Sequence, residues 1–202
     1  MTQNEKTTEV LTKLIKAFVA KPSEIQIQEF HMTRATVISV KTSVKDYGRV
    51  VGSKAKNCKA LDLLAKLMGS SDDEEIRLSI VPPEDSRVPA HERFKPNPKW
   101  GKKEIEPLMR SLCAKVFRGG TINIVETDPL TLLVEIKVNL DDTYQVMQDG
   151  EWISTYADET HKPKVIDTDL IQKAIRTVFS AIGKNNGRDV QVDVIPVAYP
   201  KA

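Results

Sequence analysis

The two halves of this 202-residue chain resemble each other, and this internal repeat constrains the fold more than any other feature of the sequence. Residues 7–30 align without gaps to residues 104–127 at an offset of 97, and residues 58–82 align to 172–196 at an offset of 114. A chain with such a repeat is expected to fold as two units of one topology, with 17 additional residues between the matched blocks of the second unit. The identical positions of the first block are Glu9, Leu11, Ala17, Val19, Ile25, Ile27 and Glu29.

Apolar residues follow the same succession of spacings in each half. In the first half, helical spacing over residues 10–19 precedes two strand-like segments at 25–28 and 35–40. A polar turn, a helix that ends near Gly69 and a strand at 76–80 complete the order. We therefore predict an α+β fold made of two domains, each with the element order helix-strand-strand-helix-helix-strand. Each domain is expected to form a three-stranded sheet with its helices packed on one face.

Composition divides the chain into three parts. We predict a first domain over residues 1–83, a linker over 84–103 and a second domain over 104–202 with an insertion near 148–167. The linker is rich in proline and basic residues, and this composition favours an extended connector. Aromatic rings among basic side chains can stack on bases; the alternative is that the rings dock on a domain surface. The candidates for such an accessory contact are Arg93, Phe94, Lys95, Lys99 and Trp100.

Charge and cysteine content exclude several protein classes. The net charge is only +2, so any positive surface that attracts nucleic acid has to be local. Cys58 and Cys113 are too few for a disulfide framework and fall in predicted helices. No apolar run approaches the ~18 residues of a membrane span, and the N-terminus lacks a signal-peptide pattern. We expect a soluble, reduced, cytoplasmic protein with no membrane contact, in the host cytoplasm if the gene is viral.

The sequence contains no constellation that is typical of an enzyme. His31, His91 and His161 lie far apart, and none has a second metal ligand at helical spacing. Ser53 has no histidine base nearby in the sequence, so nucleophilic catalysis is not predicted. We therefore predict no catalytic residues, no metal site, no cofactor and no enzymatic activity.

A polar segment between the second strand and the longer helix concentrates positive charge. Residues 41–66 contain seven Lys or Arg and two Asp. In this segment Gly48 and Gly52 allow a phosphate backbone to approach the chain without an intervening side chain. Amides at the start of the following helix carry partial positive charge, and Lys54 and Lys56 add full charges. The pattern predicts a phosphate-binding loop.

This segment resembles the KH domain, in particular that of the small bacterial single-KH RNA-binding proteins. The family pattern is a glycine, a basic residue and two aliphatic residues, followed by Gly-x-x-Gly and a helix, and residues 48–54 fit it. The resemblance implies that the loop clamps about four nucleotides while bases lie in an adjacent apolar groove. The residues that it implies for nucleic-acid binding are Gly48, Arg49, Val50, Val51, Gly52, Ser53, Lys54, Ala55, Lys56, Asn57 and Lys59.

Two points at this loop stay open on the sequence alone. Val50 and Val51 belong either to the base-binding groove or to the core. Ala55 stands where the family has its second loop glycine. If the backbone at position 55 is left-handed, alanine disfavours it and affinity is expected to drop; otherwise alanine changes little.

The second half has lost the loop. Residues 141–160 contain six acidic residues and no Lys or Arg, and such a surface repels phosphate. We therefore interpret the chain as a tandem repeat of one intact-like and one degenerate KH domain. Asp149-Gly150 predicts an inserted hairpin, whose aromatic residues either contact a protein or pack internally. Lys173, Arg176 and Lys184 leave room for weak basic contacts.

The sequence thus favours single-stranded RNA as the ligand, with its phosphate backbone held by the GxxG-like loop. The expected role is that of an mRNA- or small-RNA-binding adaptor in post-transcriptional regulation. Two alternatives remain: a KH-fold module for protein interaction or self-association, acting through the second half, and binding of single-stranded DNA.

Overall fold

The computed structural model describes most of the chain. Within the described residues the chain forms five α-helices and nine strands. The described residues are 6–33, 35–71, 75–83, 100–117, 121–128, 130–140, 144–148, 151–154 and 164–198. None of the helices among them has a segment long and apolar enough to cross a membrane.

The first half has the predicted element order. Short 3-10 turns lie at Pro22–Glu24 and Ser53–Ala55, before the first strand and before the longest helix of this half. The helices and strands are α1 (Thr7–Phe18), β1 (Gln26–His31), β2 (Ala35–Lys41), α2 (Val44–Val51), α3 (Lys56–Ser71) and β3 (Glu75–Val81).

The second half repeats this order with one change. Three short strands, and no helix among the described residues, stand where the first half has α2 and its loop. The elements are α4 (Lys102–Val116), β4 (Thr121–Asp128), β5 (Thr131–Leu140), β6 (Tyr144–Gln148), β7 (Glu151–Ser154), β8 (Lys164–Asp167), α5 (Thr168–Asn185) and β9 (Asp189–Ala198).

The two halves share one sheet topology. Each has a central strand, β2 or β5, that pairs antiparallel with the preceding strand and parallel with the last strand of its half. The parallel registers also correspond. Ala35 faces Glu75 in the first half and Thr131 faces Asp189 in the second, and the second repeat block aligns Glu75 with Asp189. The predicted α+β class with two three-stranded sheets is confirmed.

Alternating burial explains why the helices cover only one face of each sheet. Along β2, Thr36, Ile38 and Val40 are buried while their neighbours are partly exposed. Along β5, the even-numbered residues from Leu132 to Val138 are buried in the same way. Because successive strand side chains point to opposite faces, each sheet has one apolar face for helices and one face for solvent.

The helices of the two halves pack against each other and form one core. α3 packs against α4 and α5, and α1 packs against both as well. Phe18, Phe117 and Phe179 are fully buried in this layer, and the buried residues of both halves form one hydrophobic cluster. The order of layers is therefore sheet, helices, helices, sheet.

Two side-chain amides tie the halves together at the end of α1. Asn185 Nδ2 donates to Phe18 O at 2.9 Å, and Asn186 Nδ2 donates to Ala17 O at 3.3 Å. The last carbonyls of a helix have no partner within the helix. The second half thus supplies hydrogen bonds that α1 cannot make for itself.

The additional residues of the second half form a small third sheet. β6 and β7 pair antiparallel, with Gln148 opposite Glu151, so the predicted hairpin is confirmed. β8 then pairs parallel with β6, a strand that the sequence did not predict. This sheet contacts α5, so the insertion lies beside that helix.

Candidate nucleic-acid interface

The short helix α2 is positioned by a cap and a buried carboxylate. Ser43 precedes α2 in an extended conformation, and its Oγ accepts a hydrogen bond from the Asp46 amide at 3.3 Å. The buried Asp46 carboxylate accepts from Arg49 Nη1 at 2.7 Å and from the Ala20 amide at 3.1 Å. These contacts join α2 to the end of α1 and fix the helix that leads into the loop.

The loop after α2 has a left-handed backbone at three positions. Gly52 has a φ of 73°, Lys54 of 52° and Ala55 of 59°. The turn closes with a hydrogen bond from the Ala55 amide to Gly52 O at 3.1 Å. The position that departs from the family pattern therefore does require left-handed geometry. A non-glycine residue pays about 1–2 kcal/mol for this conformation, so Ala55 strains the loop.

Gly52 is required by space as well as by its backbone angle. A Cβ at this position would lie 2.6 Å from Asn57 Cγ, and Asn57 Nδ2 donates to Arg49 O at 2.8 Å. The Asn57 side chain thus links the end of α2 to the start of α3. Gly48 differs, since a Cβ there would meet nothing within 4 Å. Gly48 is exposed, and the space beside it is open to a ligand.

The structure divides the predicted binding residues into exposed and internal groups. Val50 is fully buried with Ile38 and Leu61, so it belongs to the core, while Val51 is half-buried. The Arg49 side chain is only 18% exposed and is paired with Asp46. The structure thus places Val50 in the core and Arg49 in an ion pair with Asp46, and the contact of these two residues with nucleic acid stays a prediction. The exposed group consists of Gly48, Ser53, Lys54, Lys56 and Lys59.

The loop faces a groove whose other wall is α5. The groove has a volume of about 650 Å³. Ser53, Lys56 and Asn57 line one side, and polar and basic residues of α5 line the other. The α5 cations are visible in the sequence, but their position beside the loop is not. Their spacing on one helix face was the available signal. The α5 side consists of Asp169, Gln172, Lys173, Arg176, Thr177, Ser180, Ala181 and Lys184.

Of the residues predicted to form an accessory contact in the linker, the structure describes Trp100. Arg93, Phe94, Lys95 and Lys99 lie outside the described residues. Trp100 is only 6% exposed and packs in the hydrophobic cluster, and its carbonyl accepts from Arg188 Nε at 3.0 Å. The Trp100 side chain thus packs in the core, and its stacking on a base stays a prediction.

The two cysteines have the character of core residues. Burial raises the pKa of the Cys113 thiol to about 12. Burial, with a smaller contribution from Asp62, also raises the pKa of Cys58. Raised thiol pKa values oppose the thiolate that nucleophilic or metal-binding cysteines need. In the part of the chain that the structure describes, no three His, Cys, Asp or Glu residues gather at a metal-binding distance.

Comparison with known proteins singles out the first repeat. The family model for the KH domain of KhpA and KhpB matches residues 8–80. The RNA-binding protein KhpA of Thermotoga maritima is 32% identical over 74 residues, which are 36% of this chain and 96% of that relative. The RNA-binding protein KhpA of Listeria monocytogenes is 29% identical over 73 residues, again 36% of this chain and 96% of the relative.

A third relative gives the same picture. The RNA-binding protein KhpA of Chlamydia trachomatis is 26% identical over 73 residues, 36% of this chain and 94% of the relative. The relatives are thus matched almost end to end, over a length close to that of the fold from α1 to β3. Through its first repeat, this chain belongs to the family of KhpA and KhpB KH domains.

Proposed function

We propose that this protein binds single-stranded RNA by holding its phosphate backbone at the loop Gly52–Ala55. The observation that carries the proposal is the geometry of this loop, which exposes Ser53 and Lys54 on a left-handed turn directly before α3. Backbone amides at a helix start and in such turns attract anions. The nearby cations Lys56 and Lys59 are exposed at the same helix end.

The relatives support RNA as the ligand class. The three reported above are named RNA-binding proteins, and each is matched over more than nine tenths of its length. KH domains clamp about four nucleotides at this loop, so the first half suffices for a short contact. The proposal includes a role as an adaptor or regulator that acts on mRNA or small RNA.

Single-stranded DNA is the nearest competing ligand, since phosphate contacts do not separate it from RNA. The 2′-hydroxyl is the group that allows a protein to discriminate between them. A titration with RNA and DNA oligonucleotides of one sequence distinguishes the two. Tighter binding of the RNA supports the proposal, and tighter binding of the DNA replaces it with the alternative.

Protein assembly has weaker support in the described residues. The outer face of the second sheet exposes Leu133 and, farther along, Ile195 and Val197. Glu135 lies between Leu133 and Lys137 along β5, Lys137 is opposite Ile195 on β9, and the Glu135 and Lys137 side chains form an ion pair at 3.1 Å. The apolar surface is therefore divided, whereas interaction patches are usually contiguous.

The decisive test replaces Ser53 and Lys54 with Asp. Aspartate tolerates the left-handed backbone of position 54, so the fold should persist. Two carboxylates would then face phosphate, and one lost charge-assisted contact is worth about 1.5–3 kcal/mol. We expect RNA affinity to fall by about 30-fold or more, measured by fluorescence polarisation on single-stranded RNA.

A matched control separates the loop from net charge. Lys102→Asp with Asn123→Asp makes the same change of net charge at exposed positions of the second half. We expect this control to retain most of the affinity. Unchanged affinity of a folded Ser53→Asp, Lys54→Asp protein, verified by thermal melting, would show that the loop is not the site.

A further inference from the structure

The groove between the loop and α5 joins the two halves at the predicted binding site. Ser53 and Lys56 at the loop and Lys173 and Lys184 on α5 line one continuous space. The α5 residues are not part of the KH match, which ends at residue 80. The second half therefore contributes a wall to a site that sequence similarity assigns only to the first.

The cations of this wall differ in how they are held. Arg176 is bound to Val192 O and to the Asp193 carboxylate, so its charge is largely compensated. Lys173 and Lys184 are exposed, and among the described residues no carboxylate pairs with either of them. Two uncompensated ammonium groups at a polar groove attract an anionic chain.

The α5 side of the groove has a length and a set of polar groups that suit a nucleic-acid strand. Lys173 and Lys184 are separated by about 16 Å along the helix axis, a span of roughly three to five nucleotides at stacked-strand spacing. Gln172, Thr177 and Ser180 lie in the same groove and offer amide and hydroxyl donors. Asp169 is the acidic residue of the lining, and it stands in the first turn of α5, where the helix dipole favours an acid.

We propose that α5 continues the RNA path, so that one single strand leaves the loop Gly52–Ala55 and is held along the groove by Lys173 and Lys184. This inference rests on the proposed function and extends it. The second half thereby acts as part of the RNA-binding surface, although it has no phosphate-gripping loop of its own. The occupied length is expected to exceed the four nucleotides that a KH loop clamps.

The test uses the full chain with Lys173→Gln and Lys184→Gln together. RNA oligonucleotides of about four and about twelve nucleotides are titrated by polarisation at several salt concentrations. Loss of two phosphate contacts lowers the salt slope of single-strand binding by about 1.4 and weakens binding of the long strand about tenfold at 150 mM salt. The short strand should bind with unchanged affinity.

Two further variants guard this result. Lys102→Gln with Lys103→Gln removes the same charge from exposed residues that do not line the groove, and this control should bind both strands normally. Lys173→Arg with Lys184→Arg keeps the charges and should restore long-strand affinity. If the glutamine variant binds the long strand like the control, α5 is not part of the path and the inference is overturned.

The loop variant distinguishes failure of this inference from failure of the proposed function. If Ser53→Asp with Lys54→Asp abolishes binding of both strands while the α5 variant changes neither, only the extension is wrong. If the loop variant binds the short strand normally, the proposed function fails. The inference then fails too, since no strand would start at the loop.

Discussion

At the scale of single residues, the loop Gly52–Ala55 combines exposure with strain. Lys54 and Ala55 both adopt left-handed backbone angles, although neither is glycine. Such conformations persist only when the surroundings impose them, and here Asn57 and the hydrogen bond between Ala55 and Gly52 do so. The strain indicates that the loop keeps its left-handed backbone at a cost in folding stability.

Restoring glycine at position 55 should relieve that strain. Ala55→Gly removes a left-handed penalty of about 1–2 kcal/mol and adds an unfolded-state entropy cost of about 0.5–1 kcal/mol. We expect a net gain of about 0.5–1 kcal/mol in the free energy of unfolding, with RNA affinity equal to or above that of the wild type. Chemical denaturation and polarisation measure the two quantities.

The matched control is Ala60→Gly in the middle of α3. Its backbone is helical, so glycine there should cost about 1 kcal/mol, partly through lost packing at a buried position. Opposite signs for the two alanines would support the left-handed geometry of position 55. A loss of stability in both variants would contradict it.

At the scale of elements, α2 depends on its anchors. It has only eight residues, and isolated helices shorter than about 12–15 residues are marginal in water. The Ser43 cap and the Asp46 contacts to Arg49 and Ala20 supply what its length cannot. Because α2 leads directly into the loop Gly52–Ala55, these anchors also set the orientation of the loop.

Removing the Asp46 carboxylate should therefore lower the free energy of unfolding more than removing a surface ion pair does. Asp46→Ala removes the carboxylate that pairs with the largely buried Arg49 and that accepts from the Ala20 amide, which should cost about 3 kcal/mol. The control is Glu106→Ala, which breaks an exposed pair with Arg110 and should cost less than about 0.5 kcal/mol. Urea unfolding measures both, and equal losses would show that the Asp46 anchor is not structural.

At the scale of the whole molecule, the two halves form one cooperative core. Helices of each half bury their apolar faces against helices of the other. Cys113 of α4 lies within this layer and is 4% exposed, whereas Cys58 of α3 is half-buried. Chemical labelling of the two thiols therefore reports on different degrees of opening of the folded protein.

A thiol reagent should distinguish the two cysteines. At pH 8 the raised pKa values keep both thiols protonated, and burial raises the pKa of Cys113 to about 12. Since the thiolate is the reactive form, we expect slow labelling of Cys58 and labelling of Cys113 only at the rate of global unfolding. Mass spectrometry after timed alkylation measures both rates. Rapid labelling of Cys113 in native protein would contradict a single core.

The same group gives a pH dependence of known sign. Burial raises the pKa of Cys113 in the folded protein to about 12, above the ordinary thiol value of 9.0, so its contribution to stability is fully present below pH 9 and is lost as pH rises toward 12. Cys113→Ala lacks this term. As pH rises from 9 toward 12, the free energy of unfolding should therefore fall more for the wild type than for Cys113→Ala.

The sequence by itself determined the elements of each half and the chemistry of the loop. Apolar periodicity and the repeat are local or nearly local properties, so they predicted both sheets and their helices. The Asp149-Gly150 pair predicted the pairing of β6 with β7 as a hairpin. The string from Gly48 to Lys54 carries the resemblance to the family. The cations near it were evident because they lie close together along the chain.

Only the tertiary structure decided which of these residues are available and what lies opposite them. Arg49 turns inward because the Asp46 carboxylate requires a buried partner, and Trp100 packs in the core because the halves meet there. The same helix-to-helix packing brings Lys173 and Lys184 beside a loop more than one hundred residues earlier in the chain. Contacts across that separation follow from burial of complementary surfaces, which no local pattern in the sequence encodes.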